Sequence, residues 1–116
     1  MENIRILFIE NHAVFAKTVT QIFLAAYQVK VVPSMQSALE ELKSNSRYHL
    51  ILIDYDLDDC KGDEITKKIR QTYPDIKIIA TSSHSKGNNL MFKAGAHAIC
   101  GKMEFKKIQS VIDDII

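Results

Sequence analysis

Apolar residues follow two patterns that alternate along this chain. Short runs rich in Ile and Val recur at IRILFI (Ile4 to Ile9), VKVV (Val29 to Val32), LILI (Leu50 to Ile53), IKIIA (Ile76 to Ala80) and HAIC (His97 to Cys100). Runs of this length and composition read as strands. Between them the apolar positions step by three or four: Phe15, Val19, Ile22 and Ala26; Met35, Ala38, Leu39 and Leu42; Ile65, Ile69 and Tyr73; Phe105, Ile108, Ile112 and Ile115. Each set gathers on one face of a helix.

Strands that are apolar on both faces and alternate with amphipathic helices imply a parallel sheet. Parallel neighbours need crossover connections, and the crossovers cover both faces. The fold class is therefore α/β, doubly wound, with one sheet between two layers of helices. Pro33-Ser34 supplies a helix start, Pro74-Asp75 follows a helix end, and Gly95 stands where a helix should close in a left-handed residue. One segment resists the pattern. Gly87, Asn88 and Asn89 are poor helix formers, so the fourth helix is predicted short or frayed, with good formers only from Leu90 to Ala94.

Composition narrows the function more than the fold. A chain of 116 residues, 47% hydrophobic and 25% charged, is sized for one domain, residues 1–116, with one core. A net charge of +1 predicts no strong electrostatic attraction to nucleic acid, and no apolar run approaches a membrane span. Cys60 and Cys100 form no metal-ligand motif and read as idle or buried thiols. The expected setting is a reducing cytoplasm, without nucleic acid or membrane as partner.

The chemistry concentrates after the strands, where open parallel sheets place their ligands. Glu10-Asn11-His12 follows the first run, Asp54 to Asp56 the third, Ser82-Ser83-His84 the fourth and Lys102 the fifth. Two carboxylates brought within about 4–6 Å repel by a few kcal/mol at an effective dielectric near 20, which invites a proton or a divalent cation. Oxygen donors point to magnesium, and a carboxylate beside magnesium and an ammonium is equipped to attack phosphorus. Taken singly, each residue has a plainer reading. Glu10 and Asn11 also serve as helix caps, Ser82 as a strand-end hydroxyl, Lys102 as a solvated charge, and Asp58 and Asp59 as a solvated acidic turn. His12 reads as a cap-region side chain and His84 as a surface histidine.

In this order and spacing the motifs resemble those of the receiver domain of two-component response regulators, over the whole chain. ILFIEN is similar to the family's metal-binding strand, LILIDYDLDDCKG to its phosphoacceptor strand, and GAHAICGK to its lysine motif. The resemblance implies a five-stranded sheet of order 2-1-3-4-5, the flavodoxin-like arrangement, with Asp54 as phosphoacceptor. It implies magnesium on Glu10, Asn11, Asp54 and the Asp56 backbone carbonyl. Lys102 and Ser82 would contact the phosphoryl group, with Thr81 as the alternative to Ser82, His84 as a possible modulator of hydrolysis, and His12 as a kinase contact on equal terms with its cap reading. The phosphoryl donor would be a histidine kinase or a phosphotransfer protein, and the recipient of the signal an unknown downstream protein. The chain would be no enzyme beyond self-catalysed phosphotransfer and dephosphorylation.

Three departures carry expectations of their own. Asn11 stands at the second acidic position and should weaken magnesium binding. Met103 replaces the proline that usually follows the lysine, so a cis bond is not expected there and Lys102 should be held less firmly. Ile99 replaces the switch aromatic, so the signal should leave by another face or through ordering of the fourth helix. Two readings compete: a phosphorylation-switched module, either self-standing or cut from a longer regulator with a DNA-binding output, and a degenerate receiver that binds a partner without phosphorylation. A flavin carrier of the same topology is disfavoured, because ENHAVF offers no glycine or hydroxyl-rich phosphate loop after the first strand.

Overall fold

The structure, a computed structural model, describes residues 3–44 and 47–116. Its strands are β1 (Arg5–Ile9), β2 (Gln28–Val32), β3 (Leu50–Ile53), β4 (Lys77–Ala80) and β5 (Ala98–Ile99). The helices are α1 (Ala13–Phe23), α2 (Met35–Ser44), α3 (Gly62–Thr72), α4 (Ser85–Lys93) and α5 (Ile108–Ile115), the last preceded by a 3₁₀ segment, Lys102–Lys107. All strand pairs are parallel and the order is β2-β1-β3-β4-β5, as the resemblance implies.

Alternation along the central strands sends side chains into two layers. Leu7, Ile9, Ile51, Ile53, Ile78 and Ala80 pack with Ala38 and Leu42 of α2, Ile65 and Ile69 of α3 and Met91 of α4. Ile6, Phe8, Leu50, Leu52 and Ile79 pack with Ala16 and Val19 of α1 and Ile108 and Ile112 of α5. All four residues of β3 are fully buried, each worth about 1.5–3 kcal/mol of hydrophobic stabilisation. The edge strand β2 is different: Val31 is exposed and Val29 half-buried, so that run is not apolar-covered on both faces.

Register positions the site. Ile9 lies beside both Val32 and Ile53, and Ile53 beside Ala80. The ladder runs one step further, with Glu10 N donating to Val32 O, Asp54 N to Ile9 O and Thr81 N to Ile53 O. Glu10, Asp54 and Thr81 therefore leave the sheet side by side. On the α5 side, Phe105 stacks on Phe8 at 6.0 Å and meets Phe15 edge-on at 5.6 Å. Three residues before it, Lys102 is thereby anchored to the core.

Two helices depart from the sequence pattern. The stripe Phe15, Val19, Ile22, Ala26 does not survive, because α1 ends at Phe23 and Leu24 turns into the core; Ile22 and Ala26 are exposed. The fourth helix is neither short nor frayed, since α4 runs nine residues straight through Gly87, Asn88 and Asn89. Tertiary contacts override their weak propensity. Asn88 bonds the Ser82 backbone twice, and Gly87 lies against the Tyr55 ring where a Cβ would collide. Gly95 then closes α4 at φ 123°, a backbone region that strongly favours glycine.

Candidate functional site

At the carboxyl ends of β1, β3 and β5 three charged side chains meet. Lys102 Nζ lies 3.0 Å from Glu10 Oε1 and 3.6 Å from Asp54 Oδ1. Glu10 and Asp54 are 1% and 3% exposed, so two carboxylates share one ammonium in a nearly dry setting. The ammonium also sits 4.7 Å from the centre of the Phe15 ring, a further electrostatic attraction. Lys102 is thus held on three sides despite Met103, which is 90% exposed and joined to it by a trans bond.

Burial pushes the Glu10 carboxyl above the usual glutamate range. The His12 amide, which donates to Oε2 at 3.0 Å, and Lys102 pull it down, while the Asp54 charge adds to the rise. Glu10 Oε1 is buried against the Lys102 ammonium. Asn11 points its amide nitrogen at Asp58 Oδ1, 3.0 Å away, leaving its own buried Oδ1 without a hydrogen-bond partner. The buried carboxylates of Glu10 and Asp54, with the unpartnered Asn11 Oδ1 beside them, fit a hard divalent cation such as magnesium.

Behind Asp54 the chain enters a tight loop. Gly62 N donates to Tyr55 O, and a Cβ on Gly62 would overlap the Asp54 carbonyl, so only glycine lets α3 begin this close to β3. Asp56 and Lys61 pair across the loop by an isolated bridge and a short side-chain contact. Lys61 first, with His84 at 3.9 Å adding to it, holds the Asp56 carboxyl below the usual range.

Residues 6–113 match the family described as response regulator receiver domain. The chain belongs to that family. It is similar to the sensor protein TorS of Escherichia coli (strain K12), 27% identical over 85 residues, and to the transcriptional regulatory protein DegU of Brevibacillus brevis, 28% identical over 83 residues. Those matches cover 72% and 70% of this chain but only 9% and 35% of the two relatives, so the chain spans a small part of each. A CheY-like receiver domain protein from Methanospirillum hungatei JF-1 has the same fold, at TM-score 0.86 and 22% identity over 97% of this chain and 93% of that one. Receiver domains are phosphoacceptor signalling domains that interact with histidine kinases or phosphotransfer proteins, and they bind Mg²⁺ at an acidic pocket.

The other residues singled out from the sequence distribute around this rim. Ser82 is buried; its hydroxyl accepts from His84 N at 3.1 Å, and Lys102 N lies 3.4 Å from its carbonyl. Thr81 is fully buried with no partner on its hydroxyl. The His84 ring faces Asp56 from an exposed position, and Ile99 is 39% exposed on β5. Asp58 and Asp59 are not a merely solvated turn. Asp58 orients Asn11, and Asp59 accepts Met35 N at 2.8 Å and Gln36 N at 3.0 Å, capping α2. Those two amides, Gln36's first, hold its carboxyl low. Burial pushes both thiols, Cys60 and Cys100, up to about 11, in keeping with idle cysteines.

Sequence reasoning missed three participants. Phe15 was read as a core residue and also carries the Lys102 contact. Asn88 was read as a helix breaker and fixes Ser82. His12 reads from the sequence equally as a cap-region side chain or a kinase contact, yet one ring nitrogen lies with a carboxylate oxygen each of Glu10 and Asp54, all within 4.8 Å of one another. Only the last left a signal, its adjacency to the acidic position.

Proposed function

We propose that this receiver accepts a phosphoryl group on Asp54 from a histidine kinase or phosphotransfer protein and thereby switches its binding to a downstream protein. The observation that carries the reading is the single ammonium of Lys102 placed between buried Glu10 and buried Asp54. An Asp54 carboxylate oxygen attacks phosphorus, the bond from phosphorus to the donor's imidazole nitrogen breaks, and that nitrogen keeps the electron pair. Lys102 neutralises charge on the transferred group, and Ser82 retains its hydroxyl hydrogen to donate to a phosphoryl oxygen. Glu10, Asn11, Asp54 and the Asp56 carbonyl would hold the magnesium ion, which when bound offsets phosphoryl charge. Positioning and charge compensation, rather than covalent catalysis by further residues, are what the rim contributes.

Incubation with magnesium and a small-molecule phosphodonor, followed by intact mass, tests the reading. A phosphoryl mass gain in the wild type and none in Asp54→Asn is the expected result. No gain at millimolar magnesium, with no amide shifts on adding beryllofluoride, would favour phosphorylation-independent binding instead. Asn11→Asp restores a carboxylate to the site and is expected to tighten magnesium binding several-fold, read by calorimetry.

A further inference from the structure

We propose that His97 is a proton-operated latch: neutral, its ring pins the start of β5 to β4, and protonated, it releases the strand that delivers Lys102 to the rim. The link to Lys102 rests on the phosphoacceptor reading, whereas the latch itself does not.

At the amino ends of the strands the ladder is closed twice in the same way. His97 N donates to Ile78 O at 2.7 Å, while Ile78 N donates to His97 Nδ1 at 3.0 Å. His49, the residue before β3, repeats the pair on β1: its N donates to Arg5 O at 2.9 Å and its Nδ1 accepts Arg5 N at 3.0 Å. In both cases a ring nitrogen takes the place that a strand carbonyl takes further along the ladder. A backbone amide can only donate, so each Nδ1 accepts through its lone pair and the ring carries its proton on Nε2. A second proton has to go on Nδ1, where it faces the amide hydrogen. The bond is then lost and a backbone N–H is left unpaired.

His97 carries the switch because its strand has little else to hold it. β5 is two residues long, and the backbone amides of His97 and Cys100 on either side of it reach Ile78 O and Ala80 O. The His97 ring is half-buried, whereas His49 is exposed. The charges acting on His97 are Arg70 of α3, whose stem lies against Gly95, and Lys77 at the start of β4. Burial first, then these two cations, hold the ring below the ordinary 6.5. The folded chain thus takes up this proton at lower pH than the unfolded one. The latch contributes fully above 6.5 and is lost as pH falls through the lowered value. Lys102 follows Ile99 by three residues, so a loosened β5 loosens the approach of its ammonium to Glu10 and Asp54.

Amide hydrogen exchange of the full chain, followed by NMR between about pH 7.5 and 5 beside His97→Asn and His97→Ala, tests the proposal. Asn places an oxygen acceptor where Nδ1 stands and does not titrate. Expected in the wild type is exchange at Ile78 and Cys100 about tenfold faster in acid, after correction for the chemical rate, with the midpoint of the His97 ring signals. In His97→Asn the acceleration should vanish, and in His97→Ala protection at both amides should be low throughout. Acceleration that persists in His97→Asn would overturn the proposal, since another group would then drive it. Titration of His97 with both amides unmoved would also overturn it, as would loss of protection at Ile78 alone, which leaves β5 in place. No phosphodonor is present, so failure of the latch and failure of phosphorylation are separate results.

Discussion

Asp54 and Asp59 stand five residues apart in one acidic stretch and meet opposite fates. Asp59 is exposed and fully employed, accepting two backbone amides at the start of α2. Asp54 is buried, faces a second carboxylate, and shares with it one ammonium at 3.6 Å. The first is a structural device that stabilises the helix it caps. The second is buried beside another carboxylate with one ammonium between them, at the end of a strand where a further cation or a phosphoryl group could be placed. What separates them is the sheet: Asp54 continues a fully buried strand, whereas Asp59 lies on the loop that has already left it.

Lys102→Ala should break this contrast most severely, leaving two buried carboxylates without their shared cation. We expect a loss on the order of 3 kcal/mol in urea unfolding, partly recovered by a divalent ion. Recovery would show that the cost is unpaired charge rather than lost packing. Asn88→Ala tests the opposite wall of the rim. It leaves the Ser82 amide without its acceptor and the Ser82 carbonyl with only the Lys102 amide, and should cost about 2 kcal/mol, with shifted NMR signals at Ser82 and through α4.

Asp59→Ala should cost about 1 kcal/mol at neutral pH, the usual value of a helix cap. Its carboxyl is held below the ordinary 3.8, so the cap contributes fully above that value and is lost as pH falls through the lowered one. The difference between variant and wild type, followed by urea unfolding, should accordingly shrink in strong acid. Asp56→Ala should have the smallest effect. That carboxylate pairs with Lys61 in an exposed setting, and thermal unfolding should barely move.

The alternation of Ile- and Val-rich runs with helical stripes sufficed for the five strands: burial on both faces leaves an unmistakable apolar text in β1, β3 and β4, while the edge strands β2 and β5 were legible from β-branched content alone. The order of Glu10, Asp54, Ser82 and Lys102 after those runs was equally legible. Local pattern failed where one residue served a distant partner: Asn88 and Gly87 read as helix breakers because their Ser82 and Tyr55 contacts are invisible in a window of neighbours. Asp59 read as solvated because the amides it caps lie some two dozen residues away.

By itself, then, the sequence determined which elements form and which residues stand at their ends, since periodicity and turn chemistry act over a few residues. Only the tertiary structure decided that Lys102 bridges Glu10 and Asp54, that Phe15 lies beside its ammonium, and that a His12 ring nitrogen lies near the carboxylates. Those are distances between separate strand ends, fixed by sheet register and core packing. No local pattern encodes them.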